Sequence, residues 1–591
     1  MGLRFRWEVP GEPDPEVLRL AASLDLNPLL GTLLWRRGIR EKAAAQEFLA
    51  VDLERLHDPF LMAGMEEAAE RVARAVEGEE RIIVYADYDV DGLTSAALLV
   101  HFFRAFGREV ETYIPDRFKE GYGLNEAALL RLAAQGAGLL ITVDTGISNV
   151  AEVAAASRAG LEVIISDHHH PPPTLPTALV VLDPLRPGCG YPDKDLAGVG
   201  VTFKLATAVR RKLLERGVAA ESLPNLRQHM DLVALGTVAD VVPLCGENRV
   251  LVRHGLSELA RTRKPGLQAL LRVAGIEPPA EVSAGQVGFQ LGPRLNAVGR
   301  LGDAREGLSL LVEKDAERAA ERAGRLDAVN QERQRVQEDL HREVRERVER
   351  DLFLGEGPIV LAESGWHTGV LGIVASKLVE EYHRPAILIG LKGEVGKGSG
   401  RSIRSLHLHQ ALSRCSDLLE QFGGHHHAAG LVIRKERVGE FAERLREIAA
   451  ESLTAEDYVP RLEVQARVTL SDLTPQTVEA VEGLAPFGPL NPKPLLLLEG
   501  AEVLGPVKSV GKDDRHLKFK VRQGRAAVGV IGFRMGSGGN FRRVQTAQES
   551  GQGVEALSRP GQRVDLVFTP EFNRWNNRTT LQLNLRDLRI L

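Results

Sequence analysis

Arg81-Ile82-Ile83-Val84-Tyr85 runs straight into Ala86-Asp87-Tyr88-Asp89-Val90-Asp91-Gly92. The first five residues read as a strand covered on both faces, because the run is apolar without alternation. Residues 93–106 then read as a helix. The unit recurs along the chain. Leu139-Leu140-Ile141-Thr142-Val143 is a second apolar strand; it ends in Asp144-Thr145-Gly146 and leads into a helix over 150–159. Leu161-Glu162-Val163-Ile164-Ile165 is a third, followed by Asp167-His168-His169, and residues 178–182 are a fourth. Strands alternating with helices predict a doubly wound parallel sheet. The alternation persists to about residue 260, and the α/β domain is bounded at 51–310.

Carboxyl ends of neighbouring parallel strands converge on one crevice, where open α/β sheets bind ligands. Asp89, Asp91, Asp144 and the His168/His169 pair are therefore expected to meet. Asp240, in Gly236-Thr237-Val238-Ala239-Asp240, offers another carboxylate after a helix-like stretch. Taken singly, Asp-x-Asp-x-Asp-Gly also suits a turn or a calcium loop, and Asp-His-His a helix cap. A calcium loop, however, needs a Glu beyond its Gly, where this chain has Leu98-Leu99-Val100. Three such loops at three successive strand ends favour a catalytic site. Four or more carboxylates cannot share a crevice without cations. Oxygen and imidazole ligands without thiolate suit Mn²⁺ or Mg²⁺. A bridging carboxylate suggests two ions about 3.5–4 Å apart, the clamp for in-line displacement at phosphorus. His170 makes the pair a triple, and spacing does not say which two point inward.

The chain has 591 residues, 43% hydrophobic and 26% charged, the balance of a globular protein of several domains. No stretch approaches the apolar length of a membrane span. Met1-Gly2-Leu3-Arg4-Phe5-Arg6 has no apolar core of a secretion signal, and Arg6 stands where myristoylation needs Ser or Thr. A cytoplasmic protein with no membrane partner is expected. Cys189, Cys245 and Cys415 lie too far apart for a Cys-x-x-Cys site. The net charge is −5, but residues 501–591 hold 16 Lys and Arg against 8 Asp and Glu, a net of +8 on a body of −13. A basic segment on an acidic body suggests a polyanionic partner.

Residues 1–50 read as a helical lead-in. Residues 311–355 are densely charged, with Leu326, Val329, Val336, Leu340, Val344 and Val348 on three- and four-residue spacing. This predicts a long helix with one narrow apolar stripe, either a connector between lobes or a helix packed along one domain. A second α/β domain follows over 356–455. Residues 456–591 show short β-like runs between Gly-rich turns, which suggests a small barrel.

Asp89-Val90-Asp91-Gly92, Asp144, Asp167-His168-His169 and Asp240 together resemble the four motifs of the DHH phosphoesterase superfamily, and within it the bacterial single-strand-specific exonucleases. Gly121-Tyr122-Gly123-Leu124, Leu196-Ala197-Gly198-Val199-Gly200 and the run from Pro293 through Arg294 to Arg300 support that branch. The resemblance runs from about residue 50 to the C-terminus. It implies a DHH domain, a connecting helix, a DHH-associated domain and a C-terminal OB-fold β-barrel. It further implies Asp89 and Asp91 as ligands to separate ions, Asp144 as the bridge, His168 and Asp240 completing the shells, and Asp87 in or behind them. His169 would contact the scissile phosphate. One departure stands out: family II pyrophosphatases, relatives in the superfamily, carry His where Tyr85 stands, so one ion is expected in a more open shell. The activity implied is 5′→3′ exonucleolytic hydrolysis of single-stranded DNA in repair and recombination. A single-strand-binding protein and a helicase are implied as further partners, and a monomer is expected. Two other readings make different demands on the sequence. A nanoRNase or cyclic-dinucleotide phosphodiesterase would lack the basic barrel. A non-catalytic DNA-binding replication scaffold would lack the full metal set.

Gly398-Ser399-Gly400-Arg401-Ser402 and Phe422-Gly423-Gly424-His425-His426-His427-Ala428-Ala429-Gly430 form the next group. Glycines admit an anion to backbone amides and Arg forks onto phosphate, yet a Gly-rich turn beside exposed histidines fits the composition equally well. The resemblance favours phosphate: Ser399, Arg401, Gly424 and His425 match the DHH-associated domain, with Arg294 and Arg300 as weaker candidates. A metal cluster at 425–427 is disfavoured, because adjacent residues on one strand point to opposite faces. In the basic segment Lys508, Lys512, Lys518, Lys520 and Arg522 cluster around two expected strands. Phe519 falls on the core face, and Trp575 is expected in a loop, stacking on a base.

Overall fold

The computed structural model describes residues 5–117, 119–279, 281–351, 357–536, 557–575 and 578–591. They form two compact units, one of residues 47–333 with 485–492, the other of residues 1–46, 334–484 and 493–591.

The first unit holds a five-stranded, all-parallel sheet: β1 (Ile82–Ala86), β2 (Glu111–Tyr113), β3 (Leu139–Val143), β4 (Glu162–Ser166) and β5 (Val180–Leu182), in the order β2-β1-β3-β4-β5. The chain winds outward from β1 to β2, then returns to β3 on the other side. That reversal opens a crevice at the carboxyl ends of β1 and β3. Strand residues alternate between two cores. Val84, Ile141 and Ile164 face the helices Met65–Glu77, Val90–Arg104 and Gly198–Glu215. Ile83, Tyr85, Leu140 and Ile165 face Leu129, Leu132, Val153 and Ala156 of the helices Glu126–Ala134 and Val150–Arg158. The two-sided burial accounts for the uninterrupted apolar runs. Edge strand β2 escaped the sequence reading, because three residues (Glu-Thr-Tyr) carry no apolar run.

The expected long helix is Ala316–Asp351. Its stripe packs in two places: Leu326 is buried in the core of the first unit, and Leu340, Val344 and Val348 in a core of the second.

The second unit contains a mixed sheet, β6 (Ile359–Ser364), β7 (Ala386–Lys392), β8 (Val395–Arg401), β9 (Leu419–Gly424) and β10 (Ala428–Arg434), ordered β9-β10-β8-β7-β6. It also contains a closed barrel of β11 (Leu496–Val510), β12 (His516–Gln523), β13 (Ala526–Gly532), β14 (Arg563–Trp575) and β15 (Arg578–Ile590). The ring runs β11-β12-β13-β15-β14 and back to β11, with only β13 and β15 parallel. This is the closed Greek-key plan of an OB-fold. The lead-in is not purely helical. Arg6–Glu8 forms a strand parallel to Arg461–Glu463, and Trp7 is buried with Leu462, Leu497 and Val567 while its Nε1 donates to Asp587 at 2.7 Å. A three-residue strand with one apolar side chain leaves no periodic signal. Among the described residues no single helix is long and apolar enough to cross a membrane.

Candidate active site

Four strands end in register on an aspartate. Ala86 pairs with Val143, Val143 with Ser166 and Ser166 with Leu182, so the next residues, Asp87, Asp144, Asp167 and Asp183, stand in a row along the carboxyl edge. All four are buried. Asp89 caps the helix after β1, its Oδ1 accepting from the amides of Asp91 (2.9 Å) and Gly92 (3.2 Å). Asp91, the second residue of that helix, is gripped by the start of the helix Gly198–Glu215. Its Oδ2 accepts from Gly198 N at 2.7 Å and its Oδ1 from Val199 N at 2.9 Å. The approach is so close that a Cβ on Gly198 would lie 2.7 Å from Asp144 Oδ1. Asp144 itself has φ +60°, a left-handed conformation that Asp tolerates better than most residues. Asp240 ends the helix Met230–Ala239.

His168 faces inward: its Nε2 lies 3.1 Å from Asp144 Oδ1, 3.6 Å from Asp240 Oδ2 and 3.9 Å from Asp91 Oδ2. His169 is turned by Asp167, whose Oδ1 takes the amides of both histidines (2.8 and 3.2 Å) and lies 2.7 Å from His169 Nδ1. His169 Nε2 is left facing the Tyr122 hydroxyl at 3.5 Å. His170 is exposed, which answers the question that spacing left open. Ligand atoms converge in three overlapping groups: Asp87, Asp89 and Asp144; Asp91, His168 and Asp240; Asp144, His168 and His169.

The electrostatics of this crevice demand cations. Burial, then repulsion from neighbouring carboxylates, holds Asp87, Asp91 and Asp144 well above the usual carboxylate range and pushes Asp240 up to about 7. Burial pulls His168 down to about 4. Burial is the largest single influence on His169 and lowers it, but the hydrogen bond to Asp167 and the negative charges of Asp167, Asp240 and Asp87 together outweigh it and raise the imidazole to about 9. Asp87 Oδ1, Asp144 Oδ1 and His168 Nε2 are buried with no hydrogen-bond partner among the described residues. Buried polar atoms left unpaired are costly. Hard carboxylate oxygens with one imidazole are a donor set that Mn²⁺ or Mg²⁺ satisfies.

Tyr85 does not face the crevice. Its ring stacks on Tyr113 at 5.0 Å, and its hydroxyl donates to Gly123 O and accepts from Asn125 N. The substitution of Tyr for His thus serves the loop over 123–125 on the opposite face of the sheet. The sequence reading also missed three parts of the site. The amides of Gly198 and Val199 have no side-chain signal. Asp167 orients His169. Asp183 is pushed up to about 7 by burial, and its signal was the fourth apolar strand ending in Asp, as the other three do.

In the second unit, Arg401 ends β8, with Nη1 donating to Gly400 O at 2.8 Å and Ser399 Oγ at 3.3 Å. Register places Ala428 opposite Arg401, so the turn between β9 and β10 lies beside it. Gly424 has φ +143°, and a Cβ there would meet Ala428 O at 2.4 Å. His425 is exposed in that turn. Residues 425–427 therefore occupy a hairpin turn, not a strand, and the Nδ1 atoms of His426 and His427 come within 3.3 Å. Gly372 on the helix Thr368–Tyr382 leaves room for Ser399 and Arg401, another contribution invisible to motif reading. In the first unit, Arg294 is engaged by Asp327 Oδ1 (2.8 Å) and the carbonyls of Gln290 and Val273. Its guanidinium serves the helix packing, so it is a poor phosphate fork. Arg300, in the same unit, interacts electrostatically with Tyr88.

On the barrel, β12 alternates as expected: Leu517, Phe519 and Val521 are buried, and Lys518, Lys520 and Arg522 exposed. Lys508 sits directly across from Lys518, and Lys512 is exposed in the connecting turn. Arg522 is paired with Glu502 at 2.8 Å. Trp575 ends strand β14, paired with Arg578, rather than lying in a loop, and its side chain falls outside the described residues.

Three family models match parts of the chain: the DHH family, N-terminal domain, over residues 81–237; the DHHA1 domain over 356–451; and the RecJ OB domain over 464–587. The chain is 41% identical over 586 residues to the single-stranded-DNA-specific exonuclease RecJ of Bacillus subtilis, covering 99% of this chain and 71% of that protein. It is similar to the crystal structure of RecJ from Thermus thermophilus in complex with Mn²⁺, with a TM-score of 0.81 at 32% identity, over 99% of this chain and 80% of that one. The Mg²⁺ complex of that protein gives a TM-score of 0.75 at 30% identity, over 99% and 78%.

Proposed function

The chain belongs to the RecJ family of single-stranded-DNA-specific exonucleases, and on that premise we propose that it hydrolyses single-stranded DNA from the 5′ end with two divalent cations. One ion is assigned to Asp87, Asp89 and Asp144, the other to Asp91, His168 and Asp240. When bound, such ions lower the pKa of a water nucleophile and neutralise charge on the phosphate. The remaining work falls to the chain. The Gly198 and Val199 amides fix Asp91, and the helix after β1 fixes Asp89. Asp167 engages His169 Nδ1, so Nε2 is the atom offered to the scissile phosphate. Arg401, Ser399, Gly424 and His425 are assigned to phosphate, as is Arg300. Lys508, Lys512, Lys518, Lys520 and Arg522 are assigned to the backbone of the strand.

The carrying observation is that three atoms of these overlapping ligand groups, Asp87 Oδ1, Asp144 Oδ1 and His168 Nε2, are buried with no hydrogen-bond partner among the described residues. The 5′→3′ direction, a role in repair and recombination, a cytoplasmic location, and partnership with a single-strand-binding protein and a helicase are supported by the family resemblance. Degradation of 5′- and 3′-labelled single strands with Mn²⁺ and with Mg²⁺ tests the activity and its direction.

A further inference from the structure

Lys204 and Glu247 are each only 2% exposed, yet neither is a candidate metal ligand. Lys204 Nζ donates to Glu247 Oε1 at 2.5 Å and to His57 O at 2.8 Å. The carboxylate also accepts from His57 N (2.7 Å) and the Tyr191 hydroxyl (2.6 Å). The amide of Glu247 in turn donates to Asp193 Oδ2 at 2.7 Å. A buried ion pair adds little net stability, because desolvation offsets the attraction, whereas it fixes geometry strongly. What it fixes follows from where its two ends lie. Lys204 is on the helix Gly198–Glu215, whose first two amides grip Asp91. Glu247 opens the helix Gly246–Leu259, just beyond Asp240. Asp240 comes from no strand of the sheet. Upstream it is held by Gly236, where a Cβ would lie 2.8 Å from Asp91 Oδ1 and 2.3 Å from Thr94 Oγ1. Downstream, Leu244 is buried and its amide donates to Pro489 O at 2.9 Å, and Glu247 adds a buried polar anchor three residues on.

We propose that Lys204 and Glu247 are positioning residues that set Asp240 against Asp91 and His168, and so govern the affinity of the cation assigned to those three ligands. The proposal rests on the two-cation reading above. It requires that the site of Asp87, Asp89 and Asp144 be indifferent to the pair.

The test is calorimetric Mn²⁺ titration of the full-length Lys204→Met/Glu247→Gln variant, which removes both charges together and keeps an acceptor for His57 N. Thermal unfolding of the metal-free protein and the Mn²⁺ dependence of activity are measured alongside. The expected result is an unfolding midpoint close to that of wild type and one Mn²⁺ site weakened by about tenfold or more, the low end of the loss seen when groups that orient metal ligands are removed. The other site stays unchanged, and kcat is regained at saturating Mn²⁺. Two unchanged sites, or equal weakening of both, would overturn the proposal. A single Mn²⁺ site in the wild-type protein would instead refute the two-cation reading and the proposal with it. Should the double variant not fold, Asp193→Ala leaves the ion pair in place and removes the acceptor of the Glu247 amide together with that of the exposed Asp195 amide; it is expected to weaken the same one site, and an unaltered isotherm overturns the proposal.

Discussion

Asp144 Oδ1 lies 3.1 Å from His168 Nε2, and neither buried atom has a hydrogen-bond partner among the described residues. The pair marks the place where two groups of candidate ligands overlap. Removing the charge at Asp144 should therefore have opposite effects on stability and on catalysis. Asp144→Asn keeps the shape and suits φ +60°. The metal-free variant is expected to unfold at or above the wild-type midpoint, because one buried like charge is gone. Activity should fall by far more than tenfold, over about 1.4 kcal/mol of barrier, and Mn²⁺ should no longer raise the midpoint. A variant that keeps a tenth of wild-type kcat excludes a bridging role.

Arg401→Ala should raise KM and leave the Mn²⁺ dependence unchanged, since the side chain lies on β8 of the mixed sheet, where its hydrogen bonds go to Gly400 O and Ser399 Oγ. Substrates with and without a terminal phosphate discriminate the cause. An unchanged KM on both removes the phosphate contact from the account.

Replacing Lys508, Lys518 and Lys520 by Ala should weaken binding to long single strands without touching hydrolysis of short ones. The three side chains are exposed, with Lys508 and Lys518 cross-strand neighbours. If each touches one phosphate, the slope of log K against log salt should flatten by about 2. The series is run in the Asp144→Asn background. Equal slopes would show that this face of the barrel is not the DNA-binding surface. Deleting the barrel outright is a poorer test, because Trp7 is packed against Leu462, Leu497 and Val567.

His101 and His229 stack at 5.8 Å inside the first unit, and burial holds them down at about 4 and about 3. Their folded pKa values lie below the unfolded value, so the unfolded chain binds protons first as pH falls. Their stabilisation is full above about pH 6.5 and is lost progressively as the pH falls towards the folded values, on the order of 3 kcal/mol per group. In the metal-free protein the site carboxylates act in the opposite sense, so the comparison is made with the cations bound and as a difference between two proteins. In Mn²⁺-loaded protein, wild type should lose more stability between pH 6.5 and 4.5 than His229→Gln does, at about these pH values. Parallel curves contradict the assignment.

The catalytic sheet was legible because burial on both faces writes a strand as an unbroken apolar run, and because Asp87, Asp144 and Asp167 follow such runs directly. The short edge strand Glu111–Tyr113 and the strand Arg6–Glu8 left no such trace. Side-chain ligands could be read from motifs. Backbone groups could not: the Gly198 and Val199 amides that hold Asp91 appear only once the helix is placed. Tyr85 misled for the same reason, since its partners, Gly123 and Asn125, are remote in sequence. The barrel strands were read as short because bulges, as between Leu498 and Ala501, interrupt the alternation along single strands of 13 to 15 residues.

The most direct test of the central claim is a time course on one long oligonucleotide, labelled at the 5′ end in one reaction and the 3′ end in another, single-stranded or fully duplex, with Mn²⁺, Mg²⁺ or chelator, for wild type and Asp144→Asn. The account predicts immediate release of a mononucleotide from the 5′ label and stepwise shortening of the 3′-labelled strand. It predicts no attack on the duplex, and no activity with chelator or in the variant. Release from the 3′ label first, an intact strand in the presence of metal, or hydrolysis that survives chelation would contradict it.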